Sequence, residues 1–485
     1  MCIRDSLWCS REATAFLDSF GFLPDYEWAG DQPGVGHLAY TGALWLHDDD
    51  DEVTLLGAGG EPVDVLVYGD GVPPATGWTG PSVQLYNPSS TFPVDGQVLY
   101  RKPDQATGLP VLDTDTAADW AQDPDDPLDG RRVQYPGWDL DPFFFTQRIT
   151  ESATLTVAVG PDNLYETLAP LLAGATESIQ IESYTFRSRE LADILLDRLD
   201  HGVTVTLLLE GSPAFDGVTD EEKWVADRLR AHGGGVLFMV NDTDNLVHDR
   251  YRYVHAKLMI VDGDLAIIGS ENLNPTGIPA DPKDNGTAGR RGVYLITDAP
   301  GVVARVQAIF DADADPDNHG DVVGCDGVPD LCTPPAGFEP EWTPDWISYT
   351  VQFPSPLTAE GTFAFEVVQS PENSLRTRDS LLGLLARAGP GDTIHVQQFF
   401  ERVHWGSSDG TPEIDPNLRL EAIVAAARLD VTVRVLLDGF LDAEGENAAT
   451  VEYLQEIAQT EALDLQARLG NPTDLGLHNK MVLAH

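Results

Sequence analysis

Lysine is nearly absent from this 485-residue chain; it stands at Lys102, Lys223, Lys257, Lys283 and Lys480 and nowhere else. Basic residues of both kinds number 29 against 79 acidic ones, a formal charge of -50. Phosphate contacts supply most of the affinity of general nucleic-acid binders, so an acid excess of this size argues against that class. It leaves room for a local cationic pocket. Many Asp with few Lys also suits concentrated salt, where self-repulsion is screened. Cysteine is scarce as well, four in all. Cys2 and Cys9 lie in Met1 to Ser10, a stretch unlike its surroundings and read as non-native. Cys325 and Cys332 share a loop; a disulfide there would suit an exported or cell-surface protein, and two unpaired thiols fit as well. No apolar run reaches the length of a membrane-spanning helix, and no leader peptide is visible.

That scarcity gives weight to where the lysines are. Val254-His255-Ala256-Lys257-Leu258-Met259-Ile260-Val261 alternates as a strand, with His255, Lys257, Met259 and Val261 on one face. Asp262-Gly263 signals a hairpin turn, and Leu265 to Ile268 reads as a buried return strand running into Gly269-Ser270-Glu271-Asn272. A buried strand has no packing use for an ammonium group unless an anion accompanies it. A half-exposed edge strand is the plainer alternative. The unit recurs at Leu477-His478-Asn479-Lys480-Met481-Val482-Leu483.

The order His-x-Lys-x4-Asp followed by Gly-Ser-x-Asn resembles the signature of the phospholipase D superfamily, whose members use two such motifs. The residues carrying the resemblance are His255, Lys257, Asp262, Gly269, Ser270 and Asn272, with His478 and Lys480 in the second motif. Seven residues past His478 the pattern wants Asp, and this chain has His485. A second return strand would lie beyond it, so the chain is expected to be a fragment of a longer protein.

The rest of the chain is expected to be multidomain. Residues 12–122 carry short apolar runs between Gly- and Asp-rich turns, among them Ala43 to His47, Glu52 to Leu56 and Pro62 to Gly69, the pattern of an all-β sandwich. Asp51 to Leu55, Val63 to Gly69, Leu99 to Lys102 and Asp113 to Trp120 resemble a lamin-tail domain, which implies an immunoglobulin-like sandwich serving attachment or spacing. Residues 123–150, rich in Pro and Asp, read as a linker. From 151 an α/β pattern runs twice, over 151–350 (with an acidic insertion at 311–345) and 351–485. In the first copy helices are expected from Pro161 to Ala173 and Ser188 to Leu199; in the second, from Pro371 to Ala388 and Asn417 to Ala427. Alternating strands and helices predict mainly parallel sheets, the second half truncated. The Asp run 311–321 fits either a solvated surface or a calcium loop without the EF-hand spacing.

By the resemblance, His255, Lys257, Asp262, His478 and Lys480 form the catalytic set, Ser270 and Asn272 bind substrate, and no metal or other cofactor takes part. One histidine would attack phosphorus to give a phosphohistidine, and the other would protonate the departing oxygen. His255 is expected to be the nucleophile. Lys257, Lys480 and Asn272 would hold the non-bridging oxygens. Ser270 could bind there or fix the loop, and Asp262, past the strand end, suits a turn-stabilising role. The family often places a Glu a dozen or more residues after Gly-Ser-x-Asn. This chain has Asp284-Asn285 and Arg290-Arg291-Gly292-Val293 there, so the partner is either missing or supplied from elsewhere, with Glu182 and Gln397 as candidates that fit a satisfied core polar residue equally well. The implied activity is a phosphodiesterase, with phospholipid favoured over nucleic acid as substrate. An endonuclease and a non-catalytic surface-binding protein are the alternatives.

Overall fold

The computed structural model describes residues 9–20, 23–38, 46–47, 50–74, 76–84, 99–102, 104, 106–107, 109–121, 146–214, 217–241, 250–251, 253–343, 347–370, 372–374, 376, 379–405, 410–413 and 415–485. Cys2, most of the strand expected at 43–47, and linker residues 123–145 lie outside these. The chain divides into two units, Met1–Phe144 and Phe145–His485.

In the first unit, β1 (Cys9–Ser10), β2 (Tyr26–Glu27) and β3 (Gly36–His37) form a small parallel sheet beside helix α1 (Ala13–Phe20). β4 (Asp51–Leu56) and β5 (Pro62–Tyr68) pair as an antiparallel hairpin. Val65, Val67, Tyr68, Trp78 and Val83 bury together under it. Among the described residues this is one hairpin and one short sheet. The sandwich expected of 12–122 needs more strands than these and stays a proposal.

The second unit holds a nine-stranded sheet built from β6 (Arg148–Gly160), β7 (Ser178–Ser183), β8 (Thr204–Glu210), β9 (Gly235–Met239), β10 (Lys257–Val261), β11 (Leu265–Gly269), β12 (Gly292–Thr297), β13 (Val322–Gly324) and β14 (Leu357–Glu366). Their order is β13-β9-β8-β7-β10-β11-β12-β6-β14. Helices α2 (Leu164–Ala173), α3 (Arg189–Asp200) and α4 (Asp220–Ala231) share one core with it, and Met259 and Val261 belong to that core. Helix α5 (Pro300–Asp313) packs on β6, β10 and β11, so all five residues of β10 are buried. A four-stranded sheet follows, ordered β17-β16-β15-β18, from β15 (Thr393–Gln398), β16 (Thr432–Asp438), β17 (Leu465–Gly470) and β18 (Lys480–Ala484). It carries helices α6 (Ser380–Ala386), α7 (Leu418–Arg428) and α8 (Glu446–Glu461).

The expectation of mainly parallel sheets is corrected: the large sheet is mixed. Only β7-β8 and β8-β9 run parallel in it, and β15-β16-β17 in the small one. Those strands are joined through helices, and a parallel return needs such a crossover. β10, β11 and β12 follow one another through turns and loops and so run antiparallel. Asp262 and Gly263, both at positive φ (52° and 70°), make the tight turn that the sequence announces. β10 begins at Lys257, so Val254 to Ala256, read as strand, form its lead-in. β6 begins at Arg148, inside the supposed linker. Among the described residues the first helix of the second half starts at Ser380 rather than near Pro371, and Asn373 Oδ1 accepts the Gln369 N–H ahead of it. Ser188 and Asn417 act as N-caps, accepting from Leu191 and from Arg419 and Leu420.

β14 opens the second half yet lies in the first half's sheet, pairing with β6 from Leu357↔Val157 to Glu366↔Arg148. Cys325 and Cys332 are joined by a disulfide.

Gly269 is opposite Tyr294 in the β11-β12 ladder, and the fully buried tyrosine ring lies across the space a side chain would fill. Gly269→Ala is expected to destabilise the unit by about 1–3 kcal/mol through overpacking, read as a lower urea midpoint at unchanged slope.

Candidate active site

Both His-x-Lys units are held in the same four ways. The apolar residue before each histidine, Val254 or Leu477, is buried. Its N–H is accepted by a buried carboxylate ending a nearby strand: Val254 N–H donates to Glu210 Oε2 at 2.7 Å, and Leu477 N–H to Asp438 Oδ1 at 2.5 Å. Each imidazole sits edge-on to the aromatic residue just past the neighbouring strand. His255 meets Tyr184 with ring centroids 4.7 Å apart, and His478 meets Phe399 at 4.8 Å. Each lysine folds back on its own motif, Lys257 Nζ donating to His255 O at 2.7 Å and Lys480 Nζ to His478 O at 2.9 Å. The ammonium groups lie 5.5 and 5.2 Å from the same two ring centroids.

The backbone joins the two units. His478 N–H donates to Arg291 O at 2.8 Å, and Arg291 N–H to Gly476 O at 3.0 Å. The Arg291 side chain is fixed by Asp162, Oδ1 to Nη1 at 2.8 Å, and by the Tyr349 hydroxyl. Across this seam His478 Nδ1 lies 3.2 Å from Glu271 Oε2. Glu271 is fully buried, and the Tyr294 hydroxyl donates to its carbonyl at 2.6 Å. A side chain at Gly292 would overlap the Glu271 side chain, and a Cβ at Gly277 would come within 2.8 Å of Oε2. Arg290 Nε is 3.9 Å from the same carboxylate, and Arg290 Nη2 donates to Thr276 Oγ1 at 3.1 Å.

These neighbours set the proton affinities. Burial would push Glu271 up, but His478, Arg290 and Lys480 outweigh it and hold the carboxyl below its ordinary value. Burial draws the His478 imidazole down; Glu271 opposes this, while Lys480 and Arg290 reinforce it. His255 keeps an exposed surface, yet loss of solvent around its ring, then Lys257, Lys480 and His478, hold it well below the usual imidazole value. Burial and Lys480 likewise pull Lys257 down, against Glu271 and Glu182. Both imidazoles thus lie below their ordinary value, and every neighbour that bears on His255 disfavours its charged form. His478 has a carboxylate to stabilise its protonated form.

The sequence-predicted residues separate into two groups. His255, Lys257, His478 and Lys480 come together. Asn272 is near them in the chain turn after β11, and its Oδ1 is buried without a hydrogen bond among the described residues. Ser270 Oγ accepts the Val293 N–H at 3.0 Å, which is the loop-fixing role. Asp262, counted with the catalytic set, is at the far end of β10 from Lys257. Its carboxylate accepts from the N–H groups of Thr176, Glu177 and Ser178 and from the Thr176 hydroxyl. It clamps a turn and is remote from the histidines. At the matching place in the second half, His485 exchanges backbone hydrogen bonds with Thr393.

Neither substitute for the family's glutamate partners a histidine. Gln397 Oε1 accepts from Asn479 Nδ2 at 2.6 Å. Glu182 is buried among Asp313, Arg250, Lys257 and Glu372, and burial pushes it well above the ordinary carboxylate value. The partner is Glu271, the variable residue of Gly-Ser-x-Asn. An acidic residue inside a Gly-Ser-Asn turn was the available signal. Glu210, Asp438 and Arg290 were also missed. Three of the 311–321 carboxylates hold protein partners here: Asp313 takes the Tyr251 hydroxyl, Asp315 accepts from the N–H groups of Asp317 and Asn318, and Asp321 pairs with Arg250 at 3.1 Å.

Residues 168–314 match the family model described as cardiolipin synthase, phospholipase D-like domain. Over those residues the chain is similar to a phospholipase D-like domain. The match takes in His255, Lys257, Ser270, Glu271 and Asn272 and stops before the second motif. No curated protein matches the chain in sequence. Among solved structures, NucT from Helicobacter pylori is 15% identical over 37% of this chain and 99% of its own, TM-score 0.27. Nuc from Salmonella typhimurium, a phospholipase D family member, is 14% identical over 37% and 98%, TM-score 0.27. Phosphatidylserine synthase from Haemophilus influenzae is 11% identical over 68% and 76%, TM-score 0.45.

Glu271→Gln removes the charge that favours the His478 imidazolium, so the His478 pKa falls. The alkaline limb of the pH–rate profile is expected to move to lower pH, with kcat/KM reduced within the ~10²–10⁴-fold that a positioned acid contributes. Asp262→Ala is expected to cost about 0.5–1.5 kcal/mol in unfolding experiments through the lost hydrogen bonds, since water reaches the freed Thr176 and Glu177 N–H groups. Turnover per folded molecule should stay within about twofold, as for a group away from the reacting atoms.

Proposed function

We propose that this protein is a phosphodiesterase acting through a phosphohistidine, and that it hydrolyses phospholipid headgroups or transfers the phosphatidyl group to an alcohol. The observation that carries this is the meeting of His255-Lys257 with His478-Lys480 around Glu271. The recurring order of strands and helices in 145–485 is read as an internal duplication that delivers one histidine from each half. The first unit is read as a lamin-tail-like, immunoglobulin-like sandwich for attachment at the cell surface or outside the cell.

In the proposed reaction, neutral His255 attacks phosphorus and forms the P–N bond while the P–O bond to the leaving group breaks. His478, protonated beside Glu271, gives its proton to the departing oxygen. Water or an alcohol then loses a proton to His478 and displaces His255, restoring both rings. Lys257 and Lys480 neutralise the non-bridging oxygens as charge grows on them. Phospholipid is preferred over polynucleotide because the charge of -50 repels a polyanion at long range, whereas a zwitterionic headgroup meets only the local cations.

The protein should hydrolyse fluorescent phosphatidylcholine and leave plasmid DNA intact at both low and high salt. Acid-quenched enzyme should carry phosphorus on His255, and His255→Asn should abolish the label with a loss of at least ~10³-fold in kcat. DNA cleavage alone would replace the lipid reading with a nuclease. No label on either histidine with any phosphodiester would leave a non-catalytic surface-binding protein.

A further inference from the structure

We infer that Glu210 and Asp438 are positioning residues, a matched pair of buried carboxylates that set where His255 and His478 stand. The inference rests on the phosphodiesterase reading for its kinetic consequence but not for its geometry.

The two side chains occupy corresponding places. Glu210 ends β8, and Asp438 ends β16. Each of those strands is two places in its sheet from the strand opened by the motif lysine, with β7 or β15 between. Both residues are buried, Glu210 at 3% and Asp438 at 0% exposure. Each carboxylate spends its two oxygens on two different segments. Glu210 Oε1 accepts the Ser212 N–H at 2.8 Å, and Oε2 the Val254 N–H at 2.7 Å. Asp438 Oδ2 accepts from Phe440 at 3.1 Å and Leu441 at 2.6 Å, and Oδ1 accepts from Leu477 at 2.5 Å. One oxygen grips the loop leaving the strand, and the other grips the residue immediately before the histidine.

Chemistry explains why both positions hold an acid. An amide has one oxygen; with Gln or Asn here, the NH2 group would face a backbone N–H and lose one of the two grips. Hydrogen bonds to an ionised acceptor are also the stronger kind. The contact matters because neither histidine lies within the strand that follows it. β10 starts at Lys257 and β18 at Lys480, so neither histidine belongs to the ladder of the strand that follows it, although the His478 N–H also bonds Arg291 O at 2.8 Å. The carboxylate supplies a fixed point one residue upstream, and the lysine supplies one downstream by bonding the histidine carbonyl. Two imidazoles that must meet one phosphorus from opposite sides tolerate little drift, and a misplacement of about 1 Å can cost ~10²-fold in rate.

The test uses the full chain with Glu210→Gln, Asp438→Asn and the double variant, followed by amide hydrogen exchange and steady-state kinetics on phosphatidylcholine vesicles. Exchange should quicken in the peptide holding Val254 for Glu210→Gln only, and in the peptide holding Leu477 for Asp438→Asn only. Per folded molecule, kcat should fall about 10- to 100-fold with KM within about twofold, the mark of displaced chemistry rather than lost binding. Glu210→Asp and Asp438→Glu keep both acceptor oxygens and move them by one methylene. They should fold and show an intermediate loss in kcat, which keeps the test decisive where a carboxamide variant does not fold. Unchanged exchange at both peptides overturns the inference. So does quickened exchange with kcat unchanged. If the unaltered protein hydrolyses no phosphodiester, the functional reading fails, and the exchange data alone decide whether the carboxylates hold the two segments.

Discussion

A carboxylate sealed from water must have company, and Glu271 finds it across the seam between the two halves. Its oxygen faces His478 from the second half, while Arg290 flanks it from the first. The surroundings are arranged to permit this. Gly292 and Gly277 leave room for the side chain, Gly269 lets Tyr294 cross the sheet, and the tyrosine hydroxyl ties down the Glu271 carbonyl. The first half thus prepares an anionic socket, and the second half delivers the imidazole into it. Without that pairing, a buried charge and a buried imidazole would each lose their compensation.

The two motifs share supports but not environments. Each has its buried apolar leader, its carboxylate anchor, its aromatic edge and its folded-back lysine. Of the two motif histidines, only His478 has a carboxylate against its ring among the described residues. Loss of solvent around the His255 ring, then its cationic neighbours, hold it well below the usual imidazole value. In the proposed reaction, matched backbones with unmatched electrostatics suit two chemically identical side chains to different tasks.

Much of this was legible in the chain. Lysine is so rare that two His-x-Lys units stood out, and the Asp262-Gly263 turn, the Ser188 and Asn417 caps and the repeated order of elements follow from local rules. What escaped was decided by partners distant in sequence. Strand direction in the large sheet depends on which neighbours pair, and periodicity is silent about that. Glu271 sits in a variable motif position, and nothing local shows that His478, some two hundred residues on, reaches it. Asp262 was counted with the motif's catalytic set, and its place past the strand end also suggested the turn role in which the structure holds it, though not the Thr176–Ser178 segment that it grips. Glu210 and Asp438 end apolar strands, and only the fold shows what their oxygens hold.

The loan of β14 to the first half's sheet has a structural cost. Its ten-residue ladder with β6 covers what would otherwise be a long open edge rich in Thr and Val. Cutting the polypeptide between the halves, as the sequence periodicity invites, would bare that edge to any other extended chain and turn a folding unit into a template for self-association. Residues 145–485 are therefore one folding unit that does not divide cleanly just ahead of β14.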